Sequence, residues 1–471
     1  MSARRLAAAL LLLPFASACA VGPNYVRPEV ESPEDYRGHV DAPEAASIAD
    51  LPWWEVFEDE VLQQLVLEAL TSNYDLQIAV RRVEQANALV GVAQAPFYPQ
   101  VGYQGSGGRQ RQPQFQGQSA DTFSFFYGAF ALAWEIDVWG RIRRSNEAAQ
   151  EAMLATEEFR RGVLLSLVTG VAQSYLELLE LDRELEIAHE TAVSFQETLD
   201  LFTRRYQGGV GDKLQVARAE AALAQTLAQI PDLERRIVAQ ENAISVLLGR
   251  NPGEIPRGLS LAERPPPPPT PPGLPSTLLE RRPDVVEAEH VIASANAEIG
   301  VAVANFFPRI GLTALYGGQS TELKDIVKDN FNLWNVAGNV AGPLFQGFEL
   351  LEQYRAQVAG WEETKAFYKQ TVITAFSEVS NVLTAQTKFA EARAEQERAV
   401  LAFQESVRLS LLRYNSGLAG YFEVLDAQQQ LYPAEVALAQ VQLNELLTVV
   451  TLYRALGGGW QLADDQWTQK P

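Results

Sequence analysis

Large apolar side chains alternate with small or polar ones most regularly between residues 126 and 138. One face of this stretch carries Phe126, Phe130, Leu132, Trp134, Ile136 and Val138. The other face carries Tyr127, Ala129, Ala131, Ala133, Glu135 and Asp137. A period of two with one large apolar face predicts a strand of the kind that faces lipid in a membrane barrel. Shorter alternations predict three more strands, at residues 100–104, 310–316 and 334–340.

Helical pattern dominates the rest of the chain. Residues 140–206 contain no proline and few glycines, which predicts one helix of about 100 Å at 1.5 Å per residue. A Gly-rich turn at residues 208–211 and a second helix over 212–248 complete a hairpin. Residues 347–414 and a last helix ending near 456, joined by a turn at 415–420, predict another. Shorter helices are predicted at 53–95 and 276–305, loops at 105–121 and 317–329, and kinks at Pro231 and Pro433.

The order of these elements repeats because the chain is duplicated. The motif Asn73-Tyr74-Asp75-Leu76 returns as Arg282-Pro283-Asp284-Val285, at a spacing of about 207 to 209 residues that holds along the unit. Likewise Arg205-Tyr206 and Gly209 return as Arg413-Tyr414 and Gly417, and Leu248-Gly249 returns as Leu456-Gly457. A repeat this long indicates two halves of one pseudo-symmetric body rather than a solenoid. The predicted domains are an extended segment (19–55), a first repeat (56–263), a Pro-rich linker (264–275), a second repeat (276–458) and a tail (459–471).

The first residues are typical of a secretory signal. Arg4 and Arg5 precede a short apolar run, and Ala16-Ser17-Ala18-Cys19 closes it with small residues before the only cysteine. This pattern resembles a bacterial lipobox, with residues 1–18 removed and Cys19 lipidated; the alternative is an incidental cysteine. Ala20, where an Asp would retain a lipoprotein at the inner membrane, favours sorting to the outer membrane.

Charge and composition exclude several classes of function. The chain carries 38 basic and 59 acidic residues, a net charge of −21, which argues against a nucleic-acid partner and suits a channel that favours cations. His39, His189 and His290 are scattered and predict no metal site, and no nucleophile, phosphate-loop or dinucleotide motif is present, so neither an enzyme nor a cofactor is expected. No stretch after the signal offers about twenty uninterrupted apolar residues, so strands rather than helices are expected to cross a membrane.

Four strands cannot close a barrel. An open sheet edge in lipid leaves unpaired backbone groups, each costing several kcal/mol. The smallest closed barrels have about eight strands and are filled by their own side chains, so an open pore needs more. Three chains giving twelve strands are the smallest assembly that meets this, which predicts a homotrimer, with a dimer as the alternative.

Together these features resemble the TolC family of outer membrane efflux ducts, and most closely its lipidated, NodT-like members that work with RND drug pumps. The segments that carry the resemblance are residues 19–25 (CAVGPNY), 414–417 (YNSG) and 424–428 (VLDAQ). The resemblance implies a mainly α fold with duplicated halves, long antiparallel hairpins and a trimeric, twelve-stranded barrel in the outer membrane. It also implies a periplasmic adaptor and an inner membrane pump as partners, with a lipid anchor in the membrane.

Site residues follow from the same resemblance. Glu423 and Asp426 match acidic positions near the periplasmic gate, and Tyr414 matches a gate tyrosine. The family's basic position reads Ala419, and its first-half acidic position reads Gln215, so closing ion pairs are not expected at those positions. The predicted adaptor-contacting tips are Gly208, Gly209, Val210, Gly417, Leu418 and Ala419. Trp134, Trp139, Tyr316 and Trp334 are candidates for an interfacial aromatic belt or, alternatively, for packing.

The function expected from this organisation is passive export of drugs, metals or other small solutes through an outer membrane duct. Two alternatives are a TolC-like duct for type I protein secretion and a non-conducting periplasmic coiled-coil tether. The pump selects the cargo, so the sequence of the duct names no particular compound.

Overall fold

The structure is a computed structural model that describes residues 20–33, 35–37, 47–112, 121–267, 277–463 and 466–468. The predicted signal, Cys19 and residues 268–276 of the Pro-rich linker lie outside the described residues. The chain divides into two compact units. The strand unit comprises Met1–Glu29, Arg81–Glu157 and Glu287–Lys369, and the helical unit comprises Val30–Val80, Glu158–Val286 and Gln370–Pro471.

The strand unit contains a four-stranded antiparallel sheet in the order β1-β2-β3-β4. Its strands are β1 (Gln100–Gln112), β2 (Asp121–Ile136), β3 (Arg309–Ser320) and β4 (Asn332–Ala341). All four predicted strands are confirmed, although β2 ends at Ile136 and the predicted face residues Asp137 and Val138 lie just beyond it. β1 and β4 are the edges of the sheet, and neither has a further partner strand among the described residues.

The predicted loop at 105–121 is wrong for its first half, because β1 continues to Gln112. Its small residues leave room for aromatic rings of β2. A side chain added at Gly108 would come within 2.8 Å of the Phe125 ring, and one at Gly107 within 3.1 Å of the Phe126 ring. The glycines therefore allow the hydrogen-bonded ladder of β1 and β2 to continue. Because this part of β1 has no alternation of apolar and polar residues, its sequence does not predict a strand. β3 likewise extends to Ser320, into the second predicted loop.

Ten helices are described. They are α1 (Trp53–Val56), α2 (Glu60–Ser72), α3 (Tyr74–Gln94), α4 (Arg141–Gln207), α5 (Lys213–Leu227), α6 (Ile230–Leu247), α7 (Leu278–Arg281), α8 (Pro283–Ala304), α9 (Glu349–Asn415) and α10 (Tyr421–Ala455). The four arms of the two predicted hairpins are present, with α5 and α6 sharing one arm.

Three helices predicted as continuous are interrupted. The stretch 53–95 breaks first at residues 57–59, between α1 and α2. It breaks again at Asn73, whose extended backbone ends α2 and whose carboxamide oxygen accepts from the Leu76 N–H to begin α3. The stretch 276–305 breaks at the equivalent Arg282. The stretch 212–248 breaks just before Pro231, which lies in the first turn of α6, where its missing N–H is tolerated. Pro433, by contrast, lies inside the uninterrupted α10.

The duplication is visible at single hydrogen bonds. Asn73 donates to the carbonyl of Leu247 at 2.9 Å, and its counterpart Arg282 donates to the carbonyl of Ala455 at 3.0 Å. Each acceptor lies at the end of a hairpin arm. The two halves therefore anchor the same helix end with different side chains at one repeat position.

Two helices, α4 and α10, each contain an apolar window long enough to cross a membrane by length and composition alone. None was expected from the sequence. About 61% of the α4 window and 39% of the α10 window are buried within the protein. Core helices of soluble proteins pass the same test, so the finding gives weak support to a membrane-spanning helix.

Candidate functional site

One face of the sheet carries an aromatic row that crosses all four strands. The register places Tyr103 beside Phe130, Phe130 beside Tyr316, and Tyr316 beside Trp334. These four side chains are between 60% and 87% exposed in the single chain. Aromatic rings in a row at one level are what a membrane–water interface favours.

Below this row the same face is apolar. Its exposed side chains include Val101, Ile136, Val336 and Val340. From Trp334 to Val340 the face extends about 20 Å at 3.4 Å per residue, close to the height of the apolar band of an outer membrane barrel. The opposite face carries small and polar residues, among them Thr313, Asn335 and Asn339.

The four predicted belt residues lie in two different settings. Tyr316 and Trp334 belong to the exposed row. Trp134 donates its indole N–H to the carbonyl of Phe97 at 3.0 Å. Trp139 donates to the carbonyl of Pro308 at 2.8 Å and stacks on Phe307 at a centroid distance of 4.7 Å. Tyr103 and Phe130, which complete the row, were missed because single strands do not reveal cross-strand register.

The described N-terminal segment is held against the strand unit. The N–H of Val21 donates to the carbonyl of Trp139 at 3.0 Å, and buried Arg144 donates to the side-chain oxygen of Asn24 at 2.7 Å. Gly22 lies so close to Gly300 that an added Cβ would approach its Cα to 2.6 Å. The residue that follows Cys19 is therefore fixed near the end of β2.

Each hairpin of the helical unit ends in the same turn. Gly209 (φ 74°) and Gly417 (φ 72°) adopt the left-handed conformation that favours glycine. The N–H of Val210 donates to the carbonyl of Arg205, and that of Leu418 to the carbonyl of Arg413, the longer bond of a Schellman motif.

The tips expose apolar side chains. Val210 is 81% exposed and Leu418 is 74% exposed, although the residue at this position of a Schellman motif often packs back onto its own helix. Exposed apolar groups at equivalent positions of both hairpins form matching contact points for a partner.

An aromatic cluster supports the tips from below. Tyr414 is buried, and its ring lies 5.6 Å from that of Phe202 and 6.3 Å from that of Tyr421. The guanidinium of Arg205 lies 4.7 Å from the centre of the Tyr414 ring, which is cation–π geometry. Burial raises the pKa of Tyr421 to about 12, so its phenol stays neutral. Tyr414 thus links the two hairpins.

The two predicted gate acids differ in their partners. Both Glu423 and Asp426 are exposed on α10. Glu423 forms an ion pair with Arg413 at 3.2 Å, across the second tip. Asp426 accepts a hydrogen bond from the amide of Gln430 at 2.7 Å, and within the described part of the chain no cation pairs with it.

Arg413 was missed as a partner for Glu423. The sequence marks Arg413 only as the repeat of Arg205, and the family's basic gate position falls on Ala419. The two side chains meet because the Gly417 turn returns the chain on itself. The signal available in the sequence was an Arg and a Glu on opposite sides of a predicted turn.

No group of three or more His, Cys, Asp or Glu side chains able to hold a metal ion occurs in the residues that the structure describes. His290 lies 2.7 Å from the carboxylate of Glu151, and Glu289 pairs with Arg27 at 2.9 Å. These side chains therefore hold neighbouring elements of the strand unit together.

A sheet with one lipid-compatible face, in a chain of long helical hairpins, defines the class of outer membrane channels with a periplasmic helical part. The family model for outer membrane efflux proteins matches residues 65–250 and 274–458. The chain belongs to the outer membrane efflux protein family.

Individual relatives match along almost the whole length. The chain is 33% identical over 465 residues to the probable efflux pump outer membrane protein TtgC of Pseudomonas putida, covering 96% of this chain and 95% of that protein. It is 31% identical over 460 residues to the cation efflux system protein CusC of Escherichia coli, covering 96% and 99%. The open-state crystal structure of the MtrE channel of Neisseria gonorrhoeae superposes with a TM-score of 0.84 at 29% identity, covering 94% and 99%.

These likenesses confirm the predicted fold class and outer membrane location. The chain is an outer membrane channel of an efflux system. The names of the relatives favour efflux over the alternative of type I protein secretion.

Proposed function

We propose that this chain forms a homotrimeric exit duct that carries small solutes passively across the outer membrane, driven by an inner membrane pump through a periplasmic adaptor. The observation that carries the proposal is the sheet. Its aromatic row reaches both edge strands, with Tyr103 on β1 and Trp334 on β4. In lipid, edges at both ends of such a face need partner strands, and identical copies supply them.

The cargo is a class rather than one compound. The relatives are named for toluene, antibiotic and cation efflux. By extension, this duct passes organic solvents, antibiotics or cations that a pump delivers. The acidic balance of the chain and the uncompensated charge of Asp426 favour cationic solutes at the tip.

Lipidation of Cys19 is a further part of the proposal. Ala20 packs against Gly140 so closely that an added Cβ there would lie 2.7 Å from the Ala20 Cα. An acyl chain on Cys19 would begin near the end of a strand whose outer face suits lipid. The anchor would therefore enter the same membrane as the sheet.

The gate is proposed at the second tip. Three copies of Asp426 near a threefold axis would form a carboxylate ring, while each Glu423 is balanced by its own Arg413. Such a ring attracts cations. The exposed apolar groups of Val210 and Leu418 are the proposed adaptor contacts.

Planar bilayer conductance tests the proposal. Purified protein is expected to conduct in discrete steps, and Asp426→Asn is expected to lower its preference for cations. Asp232→Asn is the control, because Asp232 is also an exposed carboxylate, but it lies on α6 away from the tips and is paired with Arg235. No conductance from either variant or from the wild type would refute the duct, and an equal loss of cation preference in both variants would refute the gate position.

A deletion strain separates the two kinds of export. Loss of the gene is expected to raise susceptibility to a pump substrate and to leave protein export unchanged. The reverse result would favour type I secretion.

A further inference from the structure

One of the ion pairs that join the arms of each helical hairpin lies at matching positions in the two halves, with the charges exchanged. Glu184 on α4 pairs with Arg236 on α6 at 2.9 Å. Arg393 on α9 pairs with Glu445 on α10, also at 2.9 Å. Both partners of the second pair lie 209 residues after their counterparts (393 − 184 and 445 − 236). One pair of positions in the repeat therefore holds opposite charges in the two halves.

The pairs lie at the same height along the hairpins. Glu184 precedes the tip residue Val210 by 26 residues, and Arg236 follows it by 26. At 1.5 Å per residue this is about 39 Å from the tip. The carboxylates are well shielded, with side chains 11% exposed for Glu184 and 5% exposed for Glu445. A buried carboxylate that loses its cationic partner strongly destabilises the fold. Each arm therefore requires the opposite charge on the arm that packs against it.

Duplication creates a specific hazard for this fold. Because the halves share their pattern, α10 could close against α4, and α6 against α9, within one chain or between copies. The wrong arm is within reach, since Gln428 of α10 already donates to Ser194 of α4 at 3.0 Å. Exchanged closure would place Glu184 opposite Glu445, and Arg236 opposite Arg393. Like charges disfavour both of those pairings, and the shielded pairing of Glu184 with Glu445 is disfavoured most, since Arg236 is partly exposed.

We propose that the exchanged charges are a pairing code, which makes α4 close with α6 and α9 with α10 and rejects the other hairpin of the same chain or of a second copy. This inference goes beyond export, because it concerns how the chain and its assembly avoid exchanging arms. If the ion pairs only stabilised their hairpins, both pairs could carry the cation on the same arm. A pairing code requires the two hairpins to carry the cation on opposite arms.

The test is refolding of the full chain with one half reversed. The variant E184R/R236E keeps an ion pair in the first hairpin but gives it the polarity of the second. Glu180 interacts with both position 184 and position 236, and the quadruple variant described below carries the same two changes, so a loss caused by Glu180 alone would persist in that variant. The expected result is an at least fivefold lower recovery of protease-resistant, monodisperse protein, with the recovered fraction melting at the wild-type temperature.

Two further variants complete the test: one reverses the pair of the second hairpin alone, and the matched control reverses both pairs. R393E/E445R is expected to lose recovery like the first variant, and the quadruple variant with all four changes is expected to return to within twofold of wild type. R393E/E445R and the quadruple variant both place a carboxylate at position 393 near Glu397, so the repulsion between these two carboxylates is the same in the two variants. Full recovery of the half-reversed variants, or no recovery in the quadruple variant, would overturn the code. Conductance is no part of this readout, so the outcome is independent of the proposed duct.

Discussion

Substitution of Gly249 by Ala tests the close approach that ends the first hairpin. Gly249 has φ 68°, and an added Cβ would lie 2.2 Å from the carbonyl oxygen of Ser72. Gly209 has nearly the same backbone, φ 74°, but nothing within 4 Å of its Cβ position. Gly209→Ala is therefore a control that carries the conformational cost without the clash.

The expected losses of stability follow from three contributions. A left-handed backbone costs an L-residue about 1–2 kcal/mol, and both variants bear this cost. At Gly249 the carbonyl of Ser72 must also move away, which overpacks the contact at a further cost of about 1–3 kcal/mol. That movement strains the bond from Asn73 to Leu247, worth about 1 kcal/mol. Gly249→Ala should therefore lose about 2–6 kcal/mol in total, and Gly209→Ala about 1–2 kcal/mol.

The assay is denaturant unfolding of the detergent-solubilised protein, followed by far-UV circular dichroism. Gly457→Ala extends the series, because its Cβ would lie 2.7 Å from the carbonyl oxygen of Arg281 in the repeated contact. The expected order of destabilisation is Gly249, then Gly457, then Gly209. Equal losses for Gly249→Ala and Gly209→Ala would refute the argument from close approach.

Three further predictions concern the helical unit. Asp59→Ala removes both the carboxylate of a buried ion pair with Arg264 and the N-cap of α2, so it should lower the free energy of unfolding by about 3 kcal/mol or more. Asp232→Ala, which breaks an exposed ion pair, should lower it by less than about 1 kcal/mol. Similar unfolding midpoints for the two variants would argue against the importance of the buried pair. Burial and a neighbouring carboxylate raise the pKa of Glu180 to about 8, so the folded state keeps a proton that the unfolded chain releases, and stability should fall as pH rises from about 5 to 8. Glu180→Gln should flatten that slope in melts across this range, and an unchanged slope would contradict the assignment. Val210→Asp should abolish export in a susceptibility assay without changing the melting temperature; normal export would remove the tip from the adaptor contact.

The long helices could be predicted closely from the sequence because punctuation residues mark their ends. The first was expected at 140–206 and is Arg141–Gln207, between Gly140 and the Gly-rich tip. The second was expected at 347–414 and is Glu349–Asn415. Over such lengths the absence of proline and the abundance of strong helix formers outweigh local ambiguity.

The remaining features depend on partners distant in the chain. The far half of β1 is a strand because Phe125 and Phe126 fill the space over its glycines, and no pattern within β1 reports this. The Asn73 break is fixed by a carbonyl 174 residues away. Likewise, the pairing of Arg413 with Glu423 depends on the geometry of a turn. In each case the local sequence permits the structure and a tertiary contact selects it.

Native mass spectrometry of the purified, full-length protein in mild detergent tests the central claim most directly. A sheet of four strands with two open edges predicts a particle of three identical chains. A stable particle containing a single chain would contradict the account.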